Sequence, residues 1–175
     1  MDSHVDDNLV LNTPDGNARL VGTGRLNGTD DIADPGLTDG DMTDDEFVAA
    51  FENCSLPLEA FRHTDHVRMA FLYLHRYPAL QAIERFSSAL TKFAAAHGKT
   101  NLYHETITWA YLLLIRERLA RTAHPQTWPE FAAGNPDLLN WADSVLKKHY
   151  RQETLDSNLA RTVFVFPDQS TAIRS

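Results

Sequence analysis

The stretch Leu102–Ile115, LYHETITWAYLLLI, decides the fold. From Ile107 to Ile115 only Thr108 interrupts a run of apolar and aromatic residues. A helix built from that run is apolar around its whole circumference, and such helices are buried on every side. Just before it stand Tyr103, His104, Glu105 and Thr106, a group of polar and titratable side chains at the mouth of the most apolar element.

Working outward, each flanking segment carries helical punctuation. Asn101 offers an N-cap for the central helix, which is expected to run to about Thr122 before Pro125. Upstream, a helix beginning with Pro78 in its first turn carries Leu80, Ile83, Leu90 and Phe93 inward and ends at Gly98, with His97 complementing its dipole. Before that, a helix over about Thr64–Tyr77 has His63, His66, Val67, Ala70 and Leu74 as its inward stripe. The first helix follows the capping box Thr43–Glu46, with Phe47, Ala50, Phe51 and Cys54 on one face and Pro57 as its stop.

Downstream, Thr127–Glu130 is a second capping box for a short helix closed by Gly134. Asn135-Pro-Asp137 then starts a helix expected to continue through Tyr150. A turn or two over Glu153–Arg161 precedes Val163–Phe166, which is β-prone but has no second strand to pair with and is expected to dock as an extended tail. The predicted fold is all-α: a single bundle of five to six helices around a buried central helix, spanning 42–168.

The charge is unevenly placed. Residues 1–46 hold twelve acids against two arginines, −10, whereas the rest holds twelve acids against fourteen bases, +2. Residues 1–41 also contain six glycines and two prolines without any apolar period, so a disordered acidic leader is expected there, and 169–175 are expected to form a flexible C-terminus. A nearly neutral body without a basic stripe argues against nucleic acid as a partner. No apolar run reaches the roughly 18 residues of a membrane span, and MDSHVDDNLV lacks the features of a signal peptide. The sequence therefore reads as cytoplasmic, with no membrane partner. The single cysteine, Cys54, has no disulfide partner within the chain and is read as a small core residue.

The groups with chemical potential are His63-x-x-His66 at the start of one helix and His104-Glu105 at the start of another. Side chains three apart on a helix share a face. If both helix starts lie at one end of the bundle, His63, His66 and His104 are expected to hold a divalent metal such as zinc or iron, as bundles do with ligands from facing helices. Glu105 and His104 would then act as catalytic acid–base groups on a small molecule. Without metal, Arg68 would hold an anionic group and Tyr103 or Tyr111 would orient it, with the His104–Glu105 pair moving a proton.

The structural alternative is that these histidines bond neighbouring backbone groups and that Glu105 complements a helix N-terminus. The protein is then a non-enzymatic binding or regulatory module whose acidic leader contacts a partner. Signatures for phosphate loops, dinucleotide binding, serine hydrolases and CxxC redox pairs are all absent.

Overall fold

Why the first helix forms is visible in its cap: Thr43 accepts from the Glu46 N–H at 3.2 Å while Glu46 takes the Thr43 N–H at 2.9 Å. In the structure, a computed structural model that describes residues 42–169, this cap opens α1 (Asp44–Glu52). The acidic leader expected over 1–41 and most of the C-terminal segment lie outside the described residues. The other helices are α2 (His63–Arg76), α3 (Ala79–Ala96), α4 (Glu105–Ala120), α5 (Trp128–Gly134), α6 (Pro136–Leu139), α7 (Gln152–Leu155) and α8 (Asn158–Thr162), with 3-10 turns at Leu58–Ala60 and Val145–Lys148. Among the described residues there is no strand, so the chain is all-α with a compact core.

Two aromatic groups hold the bundle. Phe51, Phe61 and Phe93 meet with ring centroids 5.1–5.2 Å apart and join α1 to α3. Phe71 meets Phe131 at 5.0 Å and Trp128 at 5.6 Å, which joins α2 to α5. A fully buried phenylalanine contributes about 1.5–3 kcal/mol, while an exposed ion pair such as Arg76–Asp45 contributes about 0–1 kcal/mol. Ring burial, not charge pairing, fixes α1 in place.

Four local expectations are corrected. The first helix stops at Glu52, and Cys54 adopts φ 59° outside it, partly buried against the core instead of on the helical stripe. Leu80 is 82% exposed, because at about 100° per residue it falls outside the arc of Ala82, Ile83, Phe86, Leu90 and Phe93. The central helix begins at Glu105 with His104 as its N-cap, since Leu102 closes a turn onto the Lys99 carbonyl at 3.0 Å and the backbone at His104 is extended. Its apolar run is also not buried all round, as Leu113 faces solvent.

The predicted helix from Asn135 to Tyr150 is broken after Leu139. Asn140 takes the Asp143 N–H at 3.0 Å and Ser144 takes the Leu146 N–H at 3.3 Å, so two polar side chains offer the backbone partners other than the helical ones. The C-terminal segment docks in extended form: Thr106 Oγ1 donates to the Val163 carbonyl at 2.8 Å and accepts from the Val165 N–H at 3.0 Å. Tyr150 adds a bond to the Val165 carbonyl, and Gln169, read as part of a flexible end, donates to the His149 and Tyr150 carbonyls. No described helix is long and apolar enough to cross a membrane.

Candidate functional site

At the start of α2, Arg62, the N-cap residue, donates its N–H to the buried Asp65 carboxylate at 2.9 Å, the reach-back bond of a capping box. His63, the next residue, sends Nε2 to the Leu138 carbonyl at 2.9 Å and packs against Tyr111 and Trp141 at 5.1 and 5.0 Å. That bond ties α2 to the end of α6. The His66 ring lies 4.2 Å from that of Phe61 in the aromatic group that joins α1 to α3. Burial drives His63 down to about 4 despite the Leu138 bond. It drives His66 down to about 3, with His63 adding to the effect. Both rings are neutral at pH 7.

At the start of α4, His104 is fully buried. Its Nδ1 accepts from the Ile107 N–H of its own first turn at 3.3 Å, and its Nε2 then carries the proton and donates to the Leu155 carbonyl of α7 at 2.8 Å. Burial holds its pKa below the usual value. With both nitrogens bonded, the ring has no lone pair left for a ligand or a transferred proton.

Glu105, expected as the base, accepts from the Tyr103 hydroxyl. Burial first, and then that bond, push Tyr103 up. The buried Ser87 hydroxyl and Trp109 indole N–H face the same tyrosine and oppose that rise.

The two helix starts do not converge. His63 touches Tyr111, which lies seven residues beyond His104, roughly 10 Å of helical rise. Among the described residues, no three His, Cys, Asp or Glu side chains stand together as metal ligands, so the set His63, His66 and His104 is not assembled. The substrate residues are separated as well. Tyr111 bonds Ser144 at 2.9 Å and is pushed up to about 12 by burial, while Arg68 points to Asp44 at 2.7 Å with its guanidinium over the Phe47 ring.

Two depressions lie nearby. One of about 180 Å³ has Ile107, Trp141, Ser144 and Leu155 in its wall, and neither the His63 nor the His104 ring lines it. A larger cleft of about 270 Å³ lies beside Arg68 and Asp44, next to the start of α5. The groups that sequence reasoning missed are the Leu138 and Leu155 carbonyls and Ser144. Backbone acceptors carry no residue signature, and Ser144 gave no motif. Compared with known proteins, the chain matches no family model, no curated protein and no solved structure.

Proposed function

We propose that the protein is a non-enzymatic helical binding module in which the histidines of α2 and α4 are framework, and the acidic leader over 1–41, with nine acids against two arginines, is a charged arm for a partner. One observation carries the reading: His104 spends both nitrogens on backbone partners in two different elements. A catalytic or ligating imidazole needs one nitrogen open to substrate or metal. Around it Glu105 is bonded by Tyr103, Tyr111 by Ser144, and His63 by Leu138. These bonds link α2, α4, α6 and α7 as a scaffold would require.

A second reading keeps a metal-dependent enzyme acting on a small molecule. Its support is that His63 and His66 are neighbours held neutral, the form that binds zinc or iron. Elemental analysis of the untagged full chain separates the two. The module reading expects less than about a tenth of an equivalent of transition metal and no change in melting on chelation. Stoichiometric metal whose removal lowers the melting temperature would support the metal-site reading instead.

A further inference from the structure

The C-terminal tail leaves one edge of its backbone open. Three bonds turn the other edge toward the body: Thr106 Oγ1 donates to the Val163 carbonyl and accepts from the Val165 N–H, and the Tyr150 hydroxyl donates to the Val165 carbonyl. In extended chain, neighbouring residues present their N–H and C=O to opposite sides, so those of Phe164 and Phe166 point away from Thr106. Neither backbone has a hydrogen-bond partner among the described residues. Pro167 closes the edge, since it has no N–H to offer.

Apolar side chains gather along the same stretch. Among the described residues five large apolar side chains are exposed, and four of them are Phe166, at 79%, Leu159, Val163 and Leu113. Leu113 lies one helical turn beyond Trp109, whose ring stacks on Phe164 at 5.7 Å, and Phe164 meets Phe166 edge to face at 5.5 Å. An apolar strand with an unpaired edge is a template for another strand.

This edge is complementary to itself. About a two-fold axis at Val165, Phe164 of one copy stands opposite Phe166 of the other, each such pair exchanges two backbone bonds, and four bonds form in all. The same register sets the two phenylalanines side by side on one face, twice, which covers the most exposed ring with aromatic surface. Charge agrees with the antiparallel sense. Arg161 stands two residues before Val163 and Asp168 two residues after Phe166, so the cationic end of one edge meets the acidic end of the other, while Arg151 and Glu153 near Asp168 offset each other. The patch is short: four residues of strand span about 13 Å, and the area falls below the roughly 1,200 Å² of a stable interface. The pair is therefore a weak one that forms and parts with concentration.

We propose that two copies of the chain associate through Val163–Phe166, their tails paired antiparallel as a two-stranded ribbon about a two-fold axis at Val165. The proposal stands apart from the binding-module reading, which concerns the histidines and the acidic leader.

The test is amide hydrogen exchange and translational diffusion of the full chain, measured by NMR at about 20 µM and about 1 mM. At the higher concentration the Phe164 and Phe166 amides are expected to exchange at least fivefold more slowly and diffusion to slow toward that of a dimer. The Val165 amide, held by Thr106 in both states, is the internal reference. Phe166→Lys, at an exposed position, should abolish the concentration dependence while Val165 stays protected, and Leu80→Lys, equally exposed on α3, should leave it intact. The proposal is overturned by a monomer at 1 mM, by protection of Phe164 and Phe166 that does not depend on concentration, or by a dimer that survives Phe166→Lys.

Discussion

The starts of α2 and α4 look alike in sequence, each with a histidine beside an acid, yet they are built differently. His104 caps its own helix and reaches across to α7, while at the start of α2 Asp65 takes the Arg62 N–H and His63 bonds outward to α6. His104 is fully buried and His63 only partly so. The same side chain is thus a two-sided rivet at one helix start and a one-sided latch at the other, and what decides between them is which carbonyl the rest of the fold brings within reach.

That comparison can be broken most sharply at His104. His104→Ala removes the N-cap, the bond to Leu155 and buried ring volume together, and is expected to lower stability by about 2–4 kcal/mol, measured by denaturant midpoint. His63→Ala should lower it by about 1–2 kcal/mol. Equal losses at the two positions would erase the distinction. Thr106→Val, which cuts both bonds to the C-terminal tail, should lie between them at about 1–3 kcal/mol and raise hydrogen exchange at Val165.

The pH dependence sharpens the same contrast. Unfolded histidine takes up a proton near 6.5, while the folded chain holds His63 near 4 and His66 near 3. Between those values the unfolded state binds more protons, so stability is fully present above about 6.5 and falls as pH drops toward 4 and then 3. Denaturation midpoints at pH 7.5, 6 and 5 should decrease in that order, and His66→Phe should flatten the slope. At the small end, Leu80→Lys on the exposed face of α3 should change stability by less than about 0.5 kcal/mol.

Much of this was legible in the sequence. The capping boxes at Thr43 and Thr127 and the left-handed Gly98 mark helix ends in the structure, because caps are local events written in adjacent residues. The break at Asn140 was hidden, since Leu138, Trp141 and Val145 keep a helical period while Asn140 and Ser144 divert the backbone. The candidate site was legible only as a set of residue types. Spacing placed His63 and His66 on neighbouring positions, but the relative height of two helices depends on packing, and that offset of more than one turn separates His63 from His104.

Whether His104 is closed to ligands can be read from a long-range ¹H–¹⁵N spectrum of the imidazoles, recorded from pH 5 to 8 with and without one equivalent of zinc. His104 is expected to stay neutral with its proton on Nε2, its signals unmoved when zinc is added. Joint displacement of the His63, His66 and His104 signals by a single equivalent would contradict it.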